Sequence, residues 1–364
     1  MKTKTRKKRP LGLRILFIAL AVIAAIAVCY LLYLLITYYR IDDRQELVPQ
    51  GKASAEKVYV DTPYRIVTQN AGFGAFTPDF TFFMDGGKSS CAASKESVLS
   101  CINAAADTIQ SLDPDFVLMQ EVDKDSTRSH HVDERALLID RFAPCKSVFA
   151  CNMHTAFIFY PFYEPHGASN SGLLTLSNAE IVSSLRRQLP ISEGLSKLMD
   201  IDRCYSVSRI PVENGKELLL YNVHLSAYGG SDEIRTAQMT MLFNDMKAEY
   251  EAGNYCICGG DFNHDFTGNS TQLLNGVENT DFGWAQPFPE KLLPKGISRC
   301  LNYTDEDIKP SCRNNDIPYK EGNFTIIVDG FLVSDNVESL GVTNYQTGFA
   351  YSDHNPVVLD FLLK

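Results

Sequence analysis

No Cys-x-x-Cys pair occurs among the 364 residues, which removes a zinc ribbon despite ten cysteines. No internal repeat and no low-complexity tract is present, so the chain beyond its first forty residues reads as one large α/β domain. Those forty residues hold no Asp or Glu, and the run from Ile15 to Tyr39 holds no charge of either sign. Past them the scarcity changes sign. Eight of the 34 Lys and Arg lie in residues 1–40, leaving 26 against all 44 Asp and Glu, a net −18 for the remainder. So little positive charge excludes nucleic-acid binding through broad counterion release. A nuclease stays open, because a divalent cation bound at a site supplies positive charge locally. Otherwise acidic excess means solubility.

What is there begins with Lys2, Lys4, Arg6, Lys7, Lys8 and Arg9, ahead of the 25-residue uncharged run. As a helix that run is about 37 Å long, against a hydrocarbon core of roughly 30 Å. A cleaved signal peptide has an apolar core of about 7–15 residues with a small-residue site close behind. The nearest Ala-x-Ala, Ala53-Ser54-Ala55, lies far downstream. The expectation is a basic cytoplasmic cap at 1–14, a transmembrane helix at 15–39, a polar linker at 40–57 and a folded domain at 58–364. The basic flank predicts a single-pass cell-membrane protein with its N-terminus cytoplasmic and the domain extracytoplasmic. Outside the helix, nine cysteines invite disulfides, with Cys145/Cys151 and Cys300/Cys312 as candidate bridges. Cys256 and Cys258 share one face of a predicted strand and read as small buried hydrophobes.

Short apolar runs predict strands at Val58–Val60, Arg65–Gln69, Phe116–Met119, Thr155–Phe159, Gly172–Leu176, Leu218–Val223, Tyr255–Cys258, Ile326–Val333 and Val357–Leu362. Apolar residues at three- and four-residue spacing predict helices over Ser94–Ser111 and Asp232–Glu251. Polar groups gather at the strand ends. Asn70, Glu121 and His224 come just after theirs, Asp261 and Asn263 follow Tyr255–Cys258, Asp329 lies inside Ile326–Val333, and Asp353-His354 precedes the last strand.

A phosphoester hydrolase needs this inventory. Glu121, Asp353 and the Asn70 amide are oxygen ligands suited to Mg²⁺, with Mn²⁺ as the alternative; Mg²⁺ takes only one or two carboxylates and keeps several waters. Such an ion neutralises charge that grows in the transition state. One histidine protonates the leaving oxygen while another, held by a carboxylate, helps activate water. The Asn263 amide donates to a phosphoryl oxygen without adding charge.

Asn70-Ala-Gly72, Gln120-Glu121-Val122, Asn222-Val-His224-Leu225, Gly259-Gly-Asp-Phe-Asn263, Val328-Asp329-Gly-Phe-Leu-Val-Ser334 and Ser352-Asp-His-Asn-Pro-Val357 follow one another as the motifs of the endonuclease/exonuclease/phosphatase superfamily do. The chain resembles that superfamily across nearly the whole stretch after the linker. The resemblance implies a four-layer α/β sandwich of two packed mixed β-sheets flanked by helices, with a Mg²⁺ site at one edge. It implies Glu121 as the principal metal ligand, Asn70 and Asp353 close to the metal, Asp261 orienting the attacking water, and Asn263 holding the phosphate. His354 is paired with Asp329, and His224 is the general acid, with its own carboxylate partner unplaced. That second histidine tilts the reading towards the DNase I-like and sphingomyelinase branches. Asn263-His264-Asp265 and Val328-Asp329-Gly330 stand where inositol 5-phosphatases carry arginine-bearing signatures, which turns it away from that branch.

The expected substrate is a phosphodiester, of nucleic acid or of a phospholipid headgroup. A small phosphomonoester, or a catalytically inactive binding module on the same fold, is the alternative; no protein partner is implied. Elsewhere, Arg128 with His130-His131 reads as a solvated loop, His154, His166 and Arg186-Arg187 as surface residues, and Phe80, Phe82 and Phe83 as a buried strand rather than a lip.

Overall fold

The computed structural model describes residues 10–364 except 193, 195–196, 198–201, 228–231, 277–284 and 306–307. Two units are distinguished, Met1–Arg40 and Ile41–Lys364. In the first, an apolar sequence free of proline and glycine past Gly12 forms helix α1, Leu11–Thr37. Its 27 residues rise about 40 Å, and the helix is long and apolar enough to cross a membrane.

Among the described residues the second unit holds two seven-stranded mixed sheets. The first runs in the spatial order β1 (Gln45–Leu47), β7 (Ser183–Gln188), β8 (Cys204–Pro211), β9 (Glu217–His224), β10 (Tyr255–Asp261), β14 (Asp329–Ser334), β11 (Ile297–Arg299). The second runs β15 (Val337–Asn344), β16 (Val357–Leu363), β3 (Tyr64–Asn70), β4 (Phe116–Asp123), β6 (Gly167–Ser177), β5 (Lys146–Ile158), β2 (Gln50–Gly51). A short ribbon pairs β12 (Cys312–Arg313) with β13 (Thr325–Ile326).

Alternation along the strands builds the layers. Leu218 and Leu220 of β9, Phe116 and Leu118 of β4, and Leu359 and Phe361 of β16 fill the space between the sheets. Their neighbours Leu219, Tyr221, Val117 and Met119 face outward yet are apolar too, because helices cover both outer faces. Helix α2 (Lys95–Ser111) lays Val98, Ile102 and Ile109 on the second sheet, joined by Leu138 of α3 (Glu134–Arg141). Helix α4 (Asp232–Glu251) lays Met239, Leu242 and Met246 on the first. Ser94 starts α2 by accepting from the Ser97 N–H at 3.1 Å. The result is the expected four-layer sandwich. Every sheet partner and core cluster of this unit lies within residues 41–364, so the unit carries its own core and folds on its own.

Several expectations change. The stretch read as a linker belongs to the sandwich: β1 pairs with β7 of one sheet and β2 with β5 of the other. Two or three residues are too few to show a periodic pattern, which is why composition alone read as a tether. Val58 makes only an isolated bridge to Val212. The run Ile326–Val333 divides, Ile326 pairing with Cys312 while Asp329 onward joins β10. All ten cysteines are free. Cys145 and Cys151 flank an extended stretch that spans about 20 Å, whereas a disulfide needs Cα atoms within about 7 Å. Cys300 lies in the core between the sheets, while Cys312 lies against His354, its sulfur 3.5 Å from Nε2. Arg186 is not a surface residue. It is buried between the sheets, with Nε donating to the Cys151 carbonyl at 2.8 Å, Nη2 to the Asp202 carbonyl at 2.8 Å and Nη1 to the Ile41 carbonyl at 3.2 Å.

Candidate active site

Parallel neighbours end at the same edge of a sheet, and an antiparallel neighbour begins there. At one such edge β9 and β10 bring His224 level with Asp261, and β14 brings Asp329 level with Asp261 from the other side. In the second sheet β3 ends on Asn70 and β4 passes through Glu121, while Ser352-Asp353-His354 leads into β16. Asn70, Glu121, His224, Asp261, Asn263, Asp353 and His354 all line one cavity of about 610 Å³. Asp329 sits behind them, fully buried against His354.

Backbone geometry aims the side chains. Glu121 and Asn263 hold φ of 52° and 50°, a left-handed conformation that few non-glycine residues adopt and that gathers at functional sites. Glu121 falls in a register shift between Met119 and Val122, where a bulge turns it out of the β4–β6 ladder. Gly260 has φ of 146°, and a Cβ there would stand 2.1 Å from the Val223 carbonyl oxygen. Gly260→Ala is therefore expected to destabilise residues 41–364 by about 3 kcal/mol or more, read as a lower midpoint in chemical denaturation.

Asp261 is the hub. Its Oδ2 lies 3.5 Å from His224 Nε2 and 3.9 Å from His354 Nε2, and receives the Asn70 amide nitrogen at 3.2 Å. Its Oδ1 receives the Asn263 N–H at 2.9 Å. Asp261 is thus the carboxylate that the fold places beside His224, which motif order left without one. His354 Nδ1 meets Asp329 Oδ2 at 2.7 Å, and the Ser311 hydroxyl donates to the same oxygen at 2.8 Å. Burial alone would push the His354 imidazole down, but Asp329, with Cys312 and Asp353, overrides it and holds the group well above its ordinary value. His224 goes the other way: burial, then Arg203, His354 and Arg128, drive it well below. Burial and Asp329 push the Asp261 carboxyl up to about 7 against the opposing pull of His354.

Two donor sets line the site, one of mixed nitrogen and oxygen atoms and one of oxygens. Asp261, Asp329 and His354 offer ligand atoms within 4.8 Å of one another. His354 Nδ1 is already engaged by Asp329 Oδ2, so a cation using those two atoms would have to displace the 2.7 Å bond. Glu121 and Asp353 have oxygens facing the cavity and suit a hard divalent cation better. Asn70 lines the cavity beside Glu121. Its Oδ1 accepts from the Gly72 N–H at 3.0 Å, and its amide nitrogen faces Glu121 Oε1 at 3.2 Å, so it positions the carboxylates.

Sequence reasoning passed over several groups that the fold brings in. Arg128 is buried, with Nε and Nη2 on Asp123 at 3.1 and 2.9 Å and Nη1 3.7 Å from Glu121. His131 instead pairs with Asp125 on the exposed loop. Asn315 donates to Asp353 Oδ2 at 2.8 Å and to Asp85 Oδ2 at 3.2 Å. Phe82 and Phe83 are half-buried in a short turn rather than a strand, and both line the cavity. No local pattern marks Asn315, whose partners Asp353 and Asp85 lie 38 and 230 residues away in sequence.

His166 also lines the cavity, buried, its Nδ1 3.1 Å from the Ser90 carbonyl oxygen. Burial, then Arg128, pushes its imidazole down to about 4. The folded protein thus stays neutral there while an unfolded chain, near 6.5, takes up a proton. Stability contributed by the neutral ring is present above about pH 6.5 and falls as pH drops towards 4, by up to about 3 kcal/mol. Thermal midpoints of the wild type should fall more steeply from pH 7 to 4.5 than those of His166→Gln.

This fold and site define a class, the phosphoester hydrolases that work with a divalent cation. The sequence profile described as the endonuclease/exonuclease/phosphatase family matches residues 67–354, and the chain belongs to that family. Similar solved structures include an endonuclease/exonuclease/phosphatase from Beutenbergia cavernae DSM 12333, at 16% identity over 83% of this chain and 72% of that one, with a TM-score of 0.58. ANGEL2, a 2',3'-cyclic phosphatase, in complex with adenosine-2',3'-vanadate, matches at 15% identity over 88% and 99%, with a TM-score of 0.54. D. rerio TDP2 complexed with a single-strand DNA product matches at 13% over 83% and 99%, with a TM-score of 0.52. At these identities the likeness is one of fold. Comparison with curated proteins finds no significant match.

Proposed function

We infer that the chain is a membrane-tethered phosphodiesterase in which His354 protonates the leaving oxygen, while His224 and Asp261 receive the proton of the attacking water. The observation that carries this reading is the placement of Asp261 Oδ2 between the Nε2 atoms of both histidines, with His354 alone backed by a second carboxylate, Asp329. An imidazolium held by Asp329 has a proton to give, and a neutral imidazole has a lone pair to take one. These roles reverse the expectation of His224 as the general acid. A divalent cation, Mg²⁺ or Mn²⁺, would be held by Glu121 and Asp353 and would neutralise charge gathering on the phosphoryl oxygens. Asn263 lines the cavity with its Nδ2 donating to the Leu225 carbonyl at 2.8 Å; this orients the amide beside the site where phosphate would sit. The apolar helix α1, preceded by six basic residues, supports the tether, with the second unit outside the cytoplasm.

The test uses residues 41–364 with plasmid DNA, RNA, sphingomyelin, phosphatidylcholine, phosphoinositides and a chromogenic phosphodiester, each with and without EDTA. Turnover of at least one ester that EDTA abolishes is expected. Turnover that survives EDTA would refute the metal-assisted reading, and inertness towards every ester would favour a binding module.

A further inference from the structure

The large apolar side chains that stand exposed on the second unit are mostly spread singly along the chain, as on any soluble surface. One stretch differs. Phe159-Tyr160-Pro161-Phe162-Tyr163 follows β5 with no charged residue in it, and Phe162, Tyr163 and Tyr160 are 85%, 71% and 60% exposed. Met84, more than half exposed, stands on the neighbouring turn. The two segments are fixed to each other: the Tyr163 hydroxyl donates to the Lys88 carbonyl at 2.6 Å, and the rings of Phe83 and Tyr160 lie 5.9 Å apart. Glu164, the first acid after the stretch, is turned inward onto the Ser90 N–H at 2.6 Å. Tyr160 and Met84 also line the catalytic cavity, and Phe82 and Phe83 continue the apolar wall inward. The patch is therefore the outer lip of the site.

We propose that this lip seats on a zwitterionic lipid surface and that the ester hydrolysed is the headgroup of an amphiphile presented there, a substrate class that rests on the phosphodiesterase reading above. Tyrosine and phenylalanine with apolar bodies suit the water–lipid boundary, and a lip already tied in place loses little freedom on docking. Single-stranded nucleic acid would also stack on aromatic rings, but it needs a positive groove to track its backbone. Residues 41–364 instead carry 44 acidic against 26 basic side chains once the eight basic residues of 1–40 are set aside. The same acidity disfavours an anionic membrane and leaves a zwitterionic one. Only residues 38–44 lie between α1 and β1, at most about 25 Å of extended chain, so a membrane holding α1 keeps the unit within reach of its surface.

Sedimentation of residues 41–364 with phosphatidylcholine vesicles tests this, beside a double variant, Phe162→Ser with Tyr163→Ser. The wild type should co-sediment, and the variant should partition at least about 10-fold less. Turnover of a soluble chromogenic phosphodiester should change less than about twofold, since neither side chain lines the cavity. Absence of vesicle binding by the wild type, or equal binding by the variant, would overturn the proposal. So would loss of single-stranded oligonucleotide binding in the variant with vesicle binding unchanged, which would make the lip a base-stacking platform. Vesicle binding that depends on the lip, with no ester turned over, would sink the phosphodiesterase reading and leave the lipid seat standing.

Discussion

Replacing His354 with alanine is expected to lower kcat about 10³-fold, within the range a single proton donor contributes. The side chain touches both Asp261 and Asp329, so its removal breaks the chain of groups through which a proton would reach the leaving oxygen. It also leaves the buried Asp329 carboxylate with the Ser311 hydroxyl on Oδ2 and no counter-charge from an imidazolium, so a loss of stability accompanies the loss of rate. Circular dichroism and a parallel His354→Gln variant separate the two. Asp329→Asn sharpens the test. Asp329 is what raises His354, and a donor is active below its own pKa, so activity should be lost as pH rises through that value. With the carboxylate gone the value drops, and the alkaline limb of kcat should move to lower pH. An unmoved limb would mean that His354 does not supply the proton.

Glu121→Gln should be comparably damaging for a different reason. The amide keeps the shape and fits the same left-handed backbone, so what is lost is one negative charge facing the cavity. Arg128, 3.7 Å from Glu121, stays paired with Asp123, so no buried charge is orphaned and the fold should hold. Isothermal titration with Mg²⁺ and Mn²⁺ should show affinity weaker by about 100-fold or more, and kcat should fall at least as far at fixed metal. Unchanged metal affinity would move the ligand role away from Glu121 and towards the Asp261, Asp329 and His354 cluster.

The positions of His224, Asp261, Asp329 and His354 were legible because each is attached to an apolar strand buried on both faces, the strongest short-range signal a sequence carries. Neighbouring strands then set their register, and register alone brings His224, Asp261 and Asp329 abreast. Partner choice was not legible. Nothing near Ser311 or Asn315 hints that they hold Asp329 and Asp353, since those bonds close loops of 18 and 38 residues through a segment without periodicity. Arg128 was visible as a charge but not as a buried one, because burial depends on Asp123 and Phe73 meeting it in space. The direction of the Asn70 amide likewise depends on the Gly72 N–H on one side and on Glu121 and Asp261, brought from other strands, on the other.

The two small strands at the start of the second unit have a mechanical consequence. A pull transmitted along the chain from residue 40 meets β1, bonded to one sheet, and then β2, bonded to the other, before it reaches any strand of the core. The contacts of Ile41 with the buried Arg186 guanidinium and the Asp202 carboxylate would take the first load, β1 the next and β2 the last. Those edge pairings would part before β9, three strands in from β1, felt any shear. They would act as a strain relief, so that a pull on residue 40 leaves the spacing of His224, Asp261 and Asp329 undisturbed.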